Sequence, residues 1–117
     1  YADTPPWEHL DLTQGKSAII IGGDPRPQAL DRIRTTFGFA SVEWVQTDTR
    51  RIDSVATRIR AGSVDHLIFL ARFVSHKVQD VLFPACRDAG TTFVLVRRGY
   101  GTSSVATALK KVSGIAD

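Results

Sequence analysis

The stretch Ala18-Ile19-Ile20-Ile21-Gly22-Gly23-Asp24-Pro25-Arg26 decides how this chain is read. Ala18 to Ile21 has the pattern of a strand buried on both faces, because β-branched residues follow one another without polar alternation. Gly22 and Gly23 then allow a tight turn, or a closer backbone approach to a ligand than any side chain permits. A helix pattern follows at once. Pro25 or Pro27 opens it, since the first turn does not need their missing N–H, and Leu30, Ile33 and Phe37 recur at helical spacing before Gly38 stops it. A strand that ends in glycines and feeds a helix is where α/β domains place binding sites.

Outward from this stretch, strands and helices alternate. The second strand is expected over Ser41 to Gln46, with Val42, Trp44 and Gln46 facing one way and Glu43 and Val45 the other. Asp48 or Thr49 caps the next helix, whose stripe is Ile52, Val55 and Ile59 and whose end is Gly62. The longest apolar run, Val64 to Phe73, reads as the central strand. Its helix carries Val78, Val81, Leu82 and Ala85 on one face and ends at Gly90, and Pro84 inside it is expected to kink or split it. Thr92 to Val96 is the fourth strand. The loop from Arg97 to Ser104 opens a last helix with Val105, Leu109 and Val112 inward. There is no internal repeat and no low-complexity tract.

This order with short connections predicts an α/β domain of the small doubly wound, Rossmann-like or flavodoxin-like kind. A mostly parallel four-stranded sheet in the order 2-1-3-4 would carry helices on both faces. The switch point then lies between strands one and three. Three polar loops converge there: Gly22 to Arg26, Val74-Ser75-His76-Lys77, and Arg97 to Ser104.

The chain has 117 residues, 43% of them hydrophobic, enough for one core. Residues 17–117 are read as the domain. Residues 1–16 are read as a linker or N-terminal extension that Trp7 and Leu10 could dock on the body. No apolar run approaches the roughly 20 residues that span a bilayer, and no secretory leader pattern opens the chain. With no methionine, the chain is read as a domain excised from a longer protein or, as the second choice, a processed product. The lone Cys86 excludes an internal disulfide, fits a cytoplasmic setting, and falls on an apolar helix face as a buried structural thiol.

A net charge of +3 is too mild to demand nucleic acid as the partner. Arg50, Arg51, Arg58 and Arg60 could contact phosphates, but Asp48 and Asp53 interrupt the field and an outer charged helix is usually a solvated face.

The loop residues each have a plain reading beside the functional one. Gly22 and Gly23 could serve only packing, and Asp24 and Ser75 could cap helices. His76 and Lys77 sit where the helix dipole disfavours positive charge unless an anion is near. His76 could act as acid or base, anion donor or metal ligand, yet it lacks partners at ligand spacing and no metal is expected. His9 lies in the linker, and His66 is read as a satisfied core or edge residue. Arg97, Arg98 and the glycine-flanked Tyr100 could bind a phosphate or stack on a base, or form a solvated turn.

Sharper motifs are absent. No Gly-x-Gly-x-x-Gly, Walker loop or Gly-x-Ser-x-Gly elbow occurs. The element order is similar to response-regulator receivers, but Asp24 is alone and Val-Ser-His follows strand three, which argues against aspartyl phosphorylation.

Ile21-Gly22-Gly23-Asp24, Ser75-His76 and Arg98-Gly99-Tyr100-Gly101 together resemble the bacterial domain-of-unknown-function family 2325. The similarity covers about residues 17 to 105. It implies a small Rossmann-like domain, often the C-terminal module of a longer bacterial protein, and no known reaction. Carried over, it points to Gly22, Gly23, Asp24, His76 and the loop from Arg98 to Gly101. Asp24-Pro25-Arg26-Pro27 is richer in proline than that family's loop.

Three functions are therefore expected, in order. The first is a non-catalytic module of a larger bacterial protein that binds a small anion, such as a nucleotide. Its site would be Gly22, Gly23, Asp24, Arg26, Ser75, His76, Lys77, Arg98, Gly99, Tyr100, Gly101 and Thr102. Backbone N–H groups at Gly23 to Arg26 and at Ser75 to Lys77 would hold the anion, with Arg98 adding charge and Tyr100 a stacking face. The second is a phosphoester-processing enzyme with His76 as acid/base and Asp24 as orienting or metal-binding partner. The third is a protein- or nucleic-acid-docking domain with no small ligand. The cofactor is unknown, the other domains of the parent protein are expected partners, and either outer strand offers an edge for a homodimer.

Overall fold

In the computed structural model, which describes residues 7–115, the β-branched run forms strand β1 (Ser17–Ile21). Ala18 to Ile21 are all buried. A strand with two buried faces needs helices on both sides, and the alternation supplies them. A single helical turn, α1 (Leu10–Thr13), precedes β1. Then come α2 (Pro27–Phe37), β2 (Ser41–Val45), α3 (Thr49–Arg60), β3 (His66–Leu70), a 3-10 turn (Ala71–Phe73), α4 (His76–Ala89), β4 (Thr92–Val96) and α5 (Thr102–Val112). The four strands are parallel in the order β2-β1-β3-β4. The small doubly wound fold expected from the alternation is the fold of the domain.

Two cores sandwich the sheet. Ala18, Ile20, Ile68 and Val94 pack against Ile33 and Phe37 of α2 and Val105 and Leu109 of α5. Ile19, Ile21, Leu67 and Phe69 pack beneath Ile52, Val55 and Ile59 of α3 and Leu82, Ala85 and Cys86 of α4. The chain thus winds one way from β1 to β2, then crosses back past β1 to β3 and on to β4, which opens the crevice between the carboxyl ends of β1 and β3.

Several boundaries differ from the sequence reading. β3 stops at Leu70, short of the expected Phe73. Its neighbours end there: β1 pairs as far as Ile21 with Phe69, and β4 as far as Val96 with Leu70. Without ladder partners, Ala71 to Phe73 coil into the 3-10 turn. Gly22 and Gln46 likewise fall just past their strands. Pro27, rather than Pro25, opens α2. Asp48 caps α3 by accepting the Arg51 backbone N–H at 3.0 Å. Pro84 lies within α4 without splitting it. A proline removes one N–H from the ladder, here the one that Asp80 would accept, and Asp80 is exposed to water.

Val81 and Val112, expected inward, are 41% and 44% exposed. Val81 flanks the stripe of Val78, Leu82 and Ala85, and Val112 is the last residue of α5. Residues 1–6 of the expected linker lie outside the described residues. Trp7 does dock: its ring stands edge-on to Phe37 at 5.0 Å, and its indole N–H donates to Thr13 Oγ1 at 3.0 Å. Thr13 in turn donates to the Phe37 carbonyl. Leu10 stays largely exposed.

His66 is buried, but not satisfied as expected. Its Nδ1 has no hydrogen-bond partner among the described residues. Burial pushes its pKa below the usual 6.5, helped by Lys16 and opposed by Asp65.

Candidate functional site at the carboxyl edge of the sheet

Gly22 leaves β1 with φ +126°, and Gly23 follows at +66°. A Cβ on Gly22 would stand 2.8 Å from Val74 Cγ2 and 2.9 Å from Leu70 Cβ. Packing against the β3–α4 connection therefore excludes a side chain at Gly22, and its φ is strained for any other residue. Gly23 is exposed, and its own Cβ direction meets the Phe73 ring at 3.6 Å. The Gly22 carbonyl accepts a 2.8 Å hydrogen bond from the buried indole N–H of Trp44 on the neighbouring strand.

Tyr100 closes this corner from the β4–α5 loop. Its ring lies 5.8 Å from Trp44 and 6.4 Å from Phe73, and the Arg26 guanidinium sits over it at 5.5 Å. A cation held over an aromatic face keeps its hydrogen-bond donors at the ring's rim. Beside it opens a groove of about 600 Å³, lined by Pro25, Arg26, Gln28, Ala29, Arg32 and Tyr100. Among the described residues neither Arg26 nor Arg32 forms an ion pair.

The helix ends add to this positive character. Arg26, Ser75 and Gly101 are the N-caps of α2, α4 and α5. None makes a side-chain cap hydrogen bond, and none of these helices has an acid in its first turn. Their leading N–H groups are thus left to other acceptors, and their dipoles point positive ends at this edge of the sheet. Asp24, read as a possible cap, makes no such bond and is exposed, as are His76 and Lys77 in the first turn of α4. Among the described residues no hydrogen bond or ion pair joins Asp24 to His76, and no three His, Cys, Asp or Glu side chains cluster to hold a metal.

The structure brings Arg26 and Tyr100 together and sets Gly22 and Gly23 against the residues just before Ser75. Gly99 carries a positive φ in the turn before Tyr100, and Thr102 starts α5. Arg98 lines a different groove, with Leu95, Thr107 and Lys111 on the outer side of β4. Sequence reasoning did not find Trp44, Phe73 or Arg32 as parts of this corner. Trp44 had only its facing as a signal, Phe73 was read as a strand residue, and Arg32 had as its only signal a place on the helix that follows Arg26.

No helix among the described residues is long and apolar enough to cross a membrane. Compared with known proteins, the chain matches no family model, no curated protein and no solved structure.

Proposed function

We propose that this domain is a non-catalytic binding module of a larger bacterial, cytoplasmic protein. Its ligand is a small anion carrying a flat ring, a nucleotide being the fitting class, held in the groove between Tyr100 and the start of α2. The observation that carries this reading is the Arg26 guanidinium over Tyr100 at the mouth of that groove, with Arg32 along its wall. The anionic group would lie at the uncapped N–H groups of α2 with the two arginines, and the ring against Tyr100. The same reading takes in part of the resemblance to family 2325, because Asp24 and Gly99 to Gly101 adjoin or include the groove residues Pro25 and Tyr100, whereas Arg98 lines another groove.

Thermal unfolding with nucleoside mono-, di- and triphosphates, cyclic dinucleotides and sugar phosphates tests it. A ligand at about 100 times its Kd raises stability by roughly 2.7 kcal/mol. The shift is expected for a nucleotide and lost in Tyr100→Ala and Arg32→Ala. A shift retained in both variants would move the ligand elsewhere, and no shift with any compound would remove the reading.

A further inference from the structure

The two edges of the sheet are not alike. β2 carries Glu43, which is exposed and gripped by two hydrogen bonds from the Arg58 guanidinium at 3.1 and 3.0 Å. A charge on an edge strand discourages another strand from pairing there. β4 reads Thr92-Phe93-Val94-Leu95-Val96, with no charge, proline or glycine. Thr92 donates its N–H to the Asp65 carbonyl at 2.9 Å, on the β3 side. Alternate residues of a parallel strand turn their backbone groups to opposite sides, so Phe93 and Leu95 direct N–H and C=O to the open edge. No loop, helix or side chain among the described residues hydrogen-bonds to them.

What flanks this edge differs by face. On the α5 side runs a groove of about 300 Å³ lined by Leu95, Arg97, Arg98, Thr107, Ala108 and Lys111, with no carboxylate in its walls. Arg97, Arg98 and Lys111 form no ion pair among the described residues. On the α4 side, Phe83 is 44% exposed, and its ring stands edge-on to Phe93 at 5.2 Å.

We infer that the open edge of β4 is a docking site for an extended peptide in which acidic and apolar residues alternate, added to the sheet as a fifth strand. Successive side chains of such a strand point to opposite faces. The acidic set lies along Arg97, Arg98 and Lys111, and the apolar set covers Phe83 and Phe93. Main-chain hydrogen bonds supply affinity and the two faces supply specificity. A second copy of this chain is the poorer occupant, because its own β4 brings no acid to neutralise the three cations. The site is separate from the nucleotide groove, which lies between Tyr100 and α2.

The test is fluorescence anisotropy of a labelled peptide of about eight alternating Glu and Val residues, a length within the usual strand range, titrated with the whole chain. Saturable binding is expected. Reversing two exposed charges, Arg97→Glu with Lys111→Glu, should weaken it by about tenfold or more, with circular dichroism confirming the fold. Two further peptides, N-methylated on the Glu or on the Val residues, separate strand pairing from charge attraction. One frame should abolish binding and the other should retain it. Equal binding by both N-methylated peptides, no binding of the parent peptide, or indifference to the charge reversals would each overturn the inference. So would a doubled mass by light scattering together with failure to take up the peptide, which would give the edge to a second copy.

Discussion

The indole N–H of Trp44 donates to the carbonyl of Gly22 at 2.8 Å, so a buried side chain of β2 holds the loop that leaves β1. That carbonyl is buried, and without the indole it loses its partner. Trp44→Phe is expected to destabilise the domain by about 1–3 kcal/mol, the cost of an unsatisfied buried acceptor plus lost packing. Urea unfolding reads this directly. A loss under about 0.5 kcal/mol would mean the bond contributes little.

Gly22 and Gly62 form a matched comparison. Both have positive φ, but a Cβ at Gly22 collides with Val74 and Leu70, whereas nothing lies within 4 Å of one at Gly62. Gly62→Ala is expected to cost about 1 kcal/mol from backbone strain alone. Gly22→Ala should cost on the order of 3 kcal/mol, because overpacking adds to strain. Equal costs in denaturant melts would contradict the packing role assigned to Gly22.

Much of this was legible in the chain, and the reasons are physical. The run Ala18 to Ile21 has no polar alternation, so it had to be covered on both faces, and short crossovers then left few orders for the strands. The strand ends were less legible because they depend on neighbours: Ala71 to Phe73 is apolar enough for a strand but has no partner to pair with. The corner around Tyr100 was half legible. Arg26 and Tyr100 stand in polar loops with few other roles, whereas the bond from Trp44 to Gly22 depends on the parallel register that places Ile20 beside Trp44. Arg98 shares a loop with Tyr100 but lines another groove, and sequence proximity does not reveal that.

Buried His66 predicts a pH dependence of stability on the acid side of neutrality. Its pKa is held below 6.5 by burial first, with the Phe39 ring against it. As pH falls through about 6.5, the unfolded chain takes up a proton that the folded imidazole does not. Stability is therefore full above that pH and declines below it until the folded histidine titrates. Urea midpoints should fall as pH drops below about 6.5, and His66→Leu should flatten that part of the slope. A slope unchanged in the variant would assign it to other groups. A second decline is expected below about pH 3.8, where Asp48 and Asp88 are held below the usual carboxylate range by hydrogen bonds from the Arg51 backbone and the Arg60 side chain.

Burial pushes the Cys86 thiol up to about 11. At pH 8 the native protein should react with iodoacetamide about a hundredfold more slowly than the urea-unfolded chain, since the thiolate is the nucleophile. Mass spectrometry after timed quenching checks this. Comparable rates would show that α4 opens readily.

Binding of a nucleotide-like anion beside Tyr100 is read out by the two tryptophan indole signals. The chain has two tryptophans, Trp7 and Trp44. Trp44 touches the Tyr100 ring and holds Gly22, whereas Trp7 packs on Phe37 beside α1. In a ¹⁵N–¹H spectrum titrated with the nucleotide that gives the largest thermal shift, the Trp44 indole peak should move saturably while that of Trp7 stays fixed. Two stationary peaks at saturating nucleotide, or movement of Trp7 alone, would contradict the assignment of the groove.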